Sequence, residues 1–202
     1  LFCFPPECNF SGAHYPATTW TQLAHSRGWH VLWDAAKFAQ CNSLDIATCR
    51  PDFVAVSFYK MFGFPTSLGA LLVHKEAAPL LRKVYFSGGT VTASIADMPF
   101  HQVRPELTAK WEDGTLPFLE VLALKQGVDI LEKIGMSSIF SHTSQLIALA
   151  RGEMERMVHY TGVPLCEVYE DRSGVAISQG SVLSFNVLRP DGSYYGYSTV
   201  EE

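Results

Sequence analysis

Asp52–Phe53–Val54–Ala55–Val56–Ser57–Phe58–Tyr59–Lys60 is the stretch that decides the fold. Its apolar run closes on a lysine, and a turn broken by Gly and Pro follows, Met61–Phe62–Gly63–Phe64–Pro65–Thr66. A second apolar run, Leu68 to Val73, lies beyond that turn. Upstream, Trp29–His30–Val31–Leu32–Trp33 ends in Asp34. Apolar runs that do not alternate with polar residues are buried on both faces. This predicts strands over 29–33, 53–57 and 68–73 in a mainly parallel sheet under helices. A lysine at the mouth of such a strand, ringed by aromatics, is poorly hydrated, which favours the uncharged, nucleophilic amine. The two strand ends set Asp34 and Lys60 on one carboxyl rim, where open α/β sheets bind ligands. An amine to take an aldehyde and an acid to hold a pyridinium nitrogen are what a pyridoxal 5'-phosphate (PLP) site requires. Ser57 and Tyr59 add hydroxyl donors for the phosphate. On composition alone, a strand-end aspartate and a lysine laying its stem over apolar surface fit the same residues.

The 202 residues are 48% hydrophobic and 17% charged, enough apolar matter for a sizeable core in one or two domains. Net charge is −5 with no basic stripe, so nucleic acid is not an expected partner. No apolar segment approaches the ~18 residues of a membrane span, and no membrane association is expected. The start, Leu1–Phe2–Cys3–Phe4–Pro5–Pro6, lacks the charged and apolar regions of a signal peptide. Leu at position 1 and the ending Thr199–Val200–Glu201–Glu202 predict a piece of a longer protein. Five cysteines, Cys3, Cys8, Cys41, Cys49 and Cys166, without a CxxC pair, fit reduced thiols of a cytoplasmic protein. No metal set is completed by them or by the seven scattered histidines, which read as surface or packing residues.

Periodicity outlines the rest. Residues 1–4 read as a strand end, 15–26 as a short helix stopped by Gly28, and 76–83 as a brief helix with Pro79 in its first turn. Residues 84–117 show little period and read as a long loop, of the kind that is functional or disordered. Helices are predicted over 119–134, ended by Gly135, and 138–159. Strand 165–169 follows, and 182–188 alternates as an antiparallel strand of a smaller α+β region does. The division expected is 1–134 for part of a large domain and 135–202 for the start of a small one. Trp29 and Trp33, flanking the Asp34 strand, read as core. Ser87–Gly88–Gly89–Thr90 and Glu112–Asp113–Gly114–Thr115 each offer backbone N–H groups and a hydroxyl to an anion, though such turns are common.

These motifs together resemble a known family. Asp34–Ala35–Ala36, the block Ser57 to Thr66, Leu68–Gly69–Ala70–Leu71–Leu72–Val73, Tyr85 to Val91 and Glu112 to Thr115 are similar to the NifS-like, class V aminotransferase domain of molybdenum cofactor sulfurases. Asn9–Phe10–Ser11–Gly12 and Arg189–Pro190–Asp191–Gly192–Ser193 fit the same pattern, so the resemblance spreads over essentially the whole chain. It implies a fold-type I PLP enzyme that takes sulfur from L-cysteine, leaving L-alanine. The sulfur is carried as an enzyme persulfide to the molybdenum cofactor, which activates xanthine dehydrogenase and aldehyde oxidase.

Carried over by position, Lys60 resembles the Schiff-base lysine and general base, and Asp34 the pyridinium partner. Asn9 is similar to the asparagine near the ring oxygen and substrate, and Ser57 to a phosphate ligand. Thr115 resembles the phosphate contact that crosses from a second subunit, which implies a homodimer. Gly89 and Thr90 fall in the matching glycine loop. Three positions depart from related patterns. Tyr59 stands where plain cysteine desulfurases have His, Lys37 where they have Gln, and Pro117 where sulfurases often have a polar residue. In the family, a glycine-rich phosphate loop and a ring-stacking side chain precede the segment matched here. The persulfide cysteine, the carboxylate-binding arginine and a MOSC domain follow it. The resemblance therefore implies a central fragment that does not release sulfur alone. Another class V PLP enzyme, such as a cysteine desulfurase or lyase, and an inactive truncated module are the alternatives.

Overall fold

The computed structural model describes residues 1–201. From the N-terminus, strands β1 (Phe2–Phe4) and β2 (Ala13–His14) and helix α1 (Ala17–Ser26) lead into β3 (Val31–Asp34). Helix α2 (Ile46–Cys49), β4 (Phe53–Ser57), helix α3 (Phe58–Phe62) and β5 (Gly69–Val73) follow. One four-stranded sheet takes the order β1-β3-β4-β5. β1, β3 and β4 run parallel, with Phe4 opposite Trp33 and Asp34 opposite Ala55. The unbroken apolar runs are thus mainly parallel strands, as expected. β5 reverses against β4, with Ser57 opposite Gly69. The connection explains this: residues 58–68 fall short of the roughly dozen or more that a parallel crossover needs.

The core sits between this sheet and α1. Phe4, Ala24, Val31, Trp33, Ala35 and Val54 form its buried cluster, with Trp20 and Phe38 packed against it. Thr21 and Ala24, on one face of α1, are its buried residues. The buried indole of Trp33 donates to Thr21 Oγ1 at 2.9 Å, so its one polar atom costs nothing unpaired. Gly28 adopts φ +74, a backbone state that suits glycine, and turns the chain out of α1. Trp29 differs from expectation: it is 53% exposed. β3 begins only at Val31, so Trp29 lies in the connection before the strand rather than on its buried face. β5 also departs from a strand covered on both sides. Leu71 and Leu72 are exposed on this edge strand.

The long loop expected over 84–117 contains structure. A hairpin pairs β6 (Val91–Ile95) with β7 (Phe100–Val103), with an irregular register between Val91 and Ala93. A short helix, α4 (Leu107–Trp111), follows. Strands of four or five residues give too few repeats for a period to show. Helix α5 (Phe118–Ile134) and helix α6 (Met136–Arg156) are separated by Gly135 at φ +85. Both helices fall close to the predicted ranges. The 76–83 helix reduces to a 3-10 turn at Ala78–Leu80, with Pro79 in it.

Farther on, β8 (Cys166–Tyr169) pairs antiparallel with β10 (Ser184–Val187), the arrangement that the alternation of 182–188 predicts. Between them β9 (Ser178–Gln179) returns to the N-terminal region and pairs with β2. Helix α7 (Tyr197–Glu201) ends the described chain. Among the described residues, no helix is long and apolar enough to cross a membrane.

Candidate active site

Ser57 ends β4 and is also the residue before the first turn of α3. Its backbone is still extended (φ −127, ψ 109), and its hydroxyl makes no capping bond. The chain therefore passes from strand to helix without a loop, and Lys60 stands on the helical turn above the strand end. Gly63 stops the helix: it adopts φ +81, and its N–H donates to Tyr59 O at 2.8 Å. Lys60 is half-buried, and no carboxylate among the described residues pairs with it. Tyr59 is 45% exposed on the same turn.

Asp34 is the last residue of β3 and is exposed. Its Oδ1 accepts from Ala36 N at 3.2 Å, which leaves the other oxygen open. Because β3 and β4 are parallel with Asp34 opposite Ala55, Asp34 and Ser57 lie at the same end of the sheet. α3 also packs on the 3-10 turn Phe38–Gln40 that follows Asp34. The structure thus brings Asp34, Ser57, Tyr59 and Lys60 to one rim. Asn9 comes after the parallel strand β1, in a turn closed by Gly12 N donating to Cys8 O at 3.0 Å, and is exposed.

A second cluster joins the two glycine turns. Gly88–Thr90 form a 3-10 turn in which Ser87 and Thr90 cap each other. Thr90 is fully buried, and its hydroxyl donates to Ser87 O at 2.9 Å. Thr90 therefore shapes this turn, while Gly89 is exposed. Across from it, Lys83 Nζ lies 2.8 Å from both oxygens of Asp113, and Ser87 Oγ donates to Asp113 Oδ1 at 3.1 Å. The Lys83 hydrogen bond, the largest influence, holds the Asp113 carboxyl below its ordinary range against the opposing pull of desolvation, with a smaller contribution from Ser87. Gly114, at φ +77, donates its N–H to Ser87 Oγ at 3.3 Å. Thr115, the next residue, is exposed. No hydrogen bond or ion pair among the described residues ties this cluster to the Lys60 rim.

Sequence reasoning missed the most buried polar network in the chain. Glu7 is fully buried. Its carboxylate accepts from Asn42 Nδ2 at 3.2 Å and from Ser181 N at 3.3 Å. His14 Nε2 lies 3.3 Å away and Lys37 Nζ 3.7 Å away. Lys37 also donates to Gln40 Oε1 and to Ser181 Oγ, both at 2.7 Å. The lysine that departs from the desulfurase pattern is thus committed to this network. Glu7, His14, Lys37, Asn42 and Ser181 are scattered along the chain, so no spacing announces them. A buried carboxylate needs such partners, because an unpaired one is costly.

The donor chemistry at the rim fits PLP. Lys60 offers an amine, Asp34 a carboxylate, and Ser57 a hydroxyl that makes no hydrogen bond among the described residues. The model of the aminotransferase class-V family matches residues 1–191. Molybdenum cofactor sulfurase from Homo sapiens is 42% identical over 213 residues, covering all of this chain and 24% of that protein. The tomato (Solanum lycopersicum) molybdenum cofactor sulfurase is 43% identical over 215 residues, covering all of this chain and 26% of its own length. The chain thus spans about a quarter of these relatives. Among solved structures, the cysteine desulfurase CsdA of Escherichia coli superposes with a TM-score of 0.75 at 22% identity, over 92% of this chain and 42% of that one. An apo cysteine desulfurase from Thermococcus onnurineus NA1 gives 0.72 at 22% identity, over 92% and 43%. The fold is that of the PLP-dependent cysteine desulfurases, a fold-type I sheet with helices. By sequence and by fold, the chain belongs to the class V aminotransferase family, and its relatives there are molybdenum cofactor sulfurases.

Proposed function

We propose that this chain carries the cofactor-binding centre of a PLP-dependent molybdenum cofactor sulfurase. The overall reaction removes the sulfur of L-cysteine, giving L-alanine, and passes it through an enzyme persulfide to the molybdenum cofactor. That transfer activates xanthine dehydrogenase and aldehyde oxidase. When bound, the cofactor supplies an electron sink beside the substrate Cα.

The chain's own groups have separate tasks. The Lys60 amine would hold the cofactor through its aldehyde and would move the proton at the substrate Cα. The Asp34 carboxylate keeps a proton on the pyridine nitrogen by a charge-assisted hydrogen bond. Ser57 Oγ and the Tyr59 phenol donate to the phosphate, and Gly89 lends a backbone N–H while Thr90 keeps its turn in shape. Asn9 orients the ring oxygen and the substrate. Thr115 reaches the phosphate of a second copy, so the working form is a homodimer, in the cytoplasm. The small C-terminal region begins at residue 135 in this reading.

The observation that carries the proposal is Lys60 standing on the turn directly after β4, uncommitted, beside the β3 end that carries Asp34. The test is the absorbance of the purified chain with added PLP, against Lys60→Ala. A visible-edge band that borohydride fixes onto Lys60, absent in the variant, is the expected result. A folded protein without the band refutes cofactor binding by this chain and favours an inert module. Detectable alanine formation from cysteine by these residues alone, lost in Lys60→Ala, would overturn the expectation that the chain does not release sulfur by itself. Alanine release without transfer to the molybdenum cofactor by the full-length protein would favour a plain cysteine desulfurase.

A further inference from the structure

We propose that Lys83 is a positioning residue for phosphate binding: clamped on Asp113, it holds the Gly114–Thr115 turn against the Ser87–Thr90 turn so that Thr115 faces a phosphate ester. This rests on the reading of Thr115 as a phosphate contact.

The Lys83 side chain is only 7% exposed, although it carries a charge. Its Nζ lies 2.8 Å from each Asp113 oxygen and 5.5 Å from the centre of the Trp111 ring. A buried ammonium is retained where it is paired, and Asp113 is its pair. From Asp113 the bonding continues without a gap. Ser87 Oγ donates to Asp113 Oδ1, and the same Oγ accepts from Gly114 N at 3.3 Å. On the far side, Arg104 Nε donates to Gly89 O at 2.7 Å and Arg104 N to Thr90 O at 2.9 Å, so the glycine turn is held from both flanks. No backbone-to-backbone hydrogen bond among the described residues joins the two turns. The hydrogen bonds that join them run through the side chains of Ser87 and Asp113, the latter paired with Lys83, beside the packing of α4 on the glycine turn. The Thr90 hydroxyl is spent within its own turn, whereas Thr115 makes no hydrogen bond among the described residues and is exposed. The clamp thus ends on the one hydroxyl of the two turn threonines that is free to meet an anion.

The experiment measures dissociation constants for PLP and for pyridoxal, which lacks the phosphate, on the full-length protein carrying this sequence. Lys83→Met keeps the stem and removes the charge. It is expected to weaken PLP by about tenfold or more, as loss of a charge-assisted contact does, and to leave pyridoxal unchanged. Lys83→Arg is expected to recover most of the loss. Combining Lys83→Met with Thr115→Ala should weaken PLP no more than Thr115→Ala alone. Asp113→Asn breaks the same clamp at its more exposed end, and keeps the question open to measurement if Lys83→Met does not fold. Equal loss of both ligands, or PLP binding like wild type in Lys83→Met or Asp113→Asn, overturns the proposal. If Thr115→Ala has no effect while the Lys60 band persists, the clamp proposal falls and the cofactor reading stands. A folded wild type that binds neither ligand overturns both.

Discussion

Glu7 shows what one buried residue demands of its neighbours. Its carboxylate is fully enclosed and is met by groups from residues 14, 37, 42 and 181. Gly180 makes that closure possible. A Cβ there would fall inside contact distance of Glu7 Oε1 and 2.6 Å from His14 Nε2. Real carbon atoms do not come so close, so the carboxylate or the β9 segment would have to move. Gly180→Ala is therefore expected to destabilise the protein by about 1–3 kcal/mol, the range for overpacking a filled site. Urea denaturation of the two proteins measures it, and an unchanged midpoint would show that the network yields freely. Lys60 and Asp34 are the opposite kind of residue. Neither is committed to a partner side chain, and the sequence context alone singled them out.

At the scale of elements, the transition from β4 to α3 sets the site. A helix of five residues has little stability of its own, since nucleating a helix is costly. Packing has to hold it. Phe62, at the end of α3, lies against Gly127 of α5, where an added Cβ would sit 2.5 Å from Phe62 Cε2 and 2.6 Å from Cγ. Gly127→Ala thus sets two effects against each other. Helix propensity gains about 1 kcal/mol, whereas overpacking against a ring costs about 1–3 kcal/mol. The net expectation is a loss of up to about 2 kcal/mol by thermal or urea unfolding. Disturbed α3 should also weaken borohydride-dependent labelling of Lys60 by PLP. A variant more stable than wild type would mean that α3 does not rest on α5 in solution.

Over the whole molecule, Asp52 ties the start of β3 to the chain before β4. Its Oδ2 accepts from Val31 N at 2.7 Å and lies 2.8 Å from His25 Nε2, while Oδ1 lies 3.2 Å from His30 Nδ1. Burial pushes this carboxyl up, but the Val31 N–H and the two histidine rings together outweigh it, so its pKa falls below the ordinary value. A carboxyl depressed in the folded state binds its proton less readily there than in the unfolded chain. Its contribution is present above the unfolded value of about 3.9 and is lost as pH falls through the folded one. Asp52→Asn is expected to cost about 1–2 kcal/mol near neutral pH, with the gap to wild type closing as pH falls below about 4. Denaturation curves at neutral and acid pH read the difference. A gap that stays constant would assign the loss to packing instead of charge.

The sequence by itself determined the parallel strands, the two long helices, the antiparallel pairing of 184–187 and the order of the groups at the rim. Each of these is local: an apolar run, a 3.6-residue period, an alternation, or a strand closing on Asp34 or on Ser57 and Lys60. Only the tertiary structure decided the rest. β5 turned back because its connection is short, and Trp29 stayed outside because β3 starts late. The hairpin within 84–117 had strands too short to show a period. Glu7 gained its partners, and Lys83 its aspartate, from residues far along the chain. Charges buried in this way are paid for by contacts across the fold, and no spacing in the sequence records which distant group will be the partner.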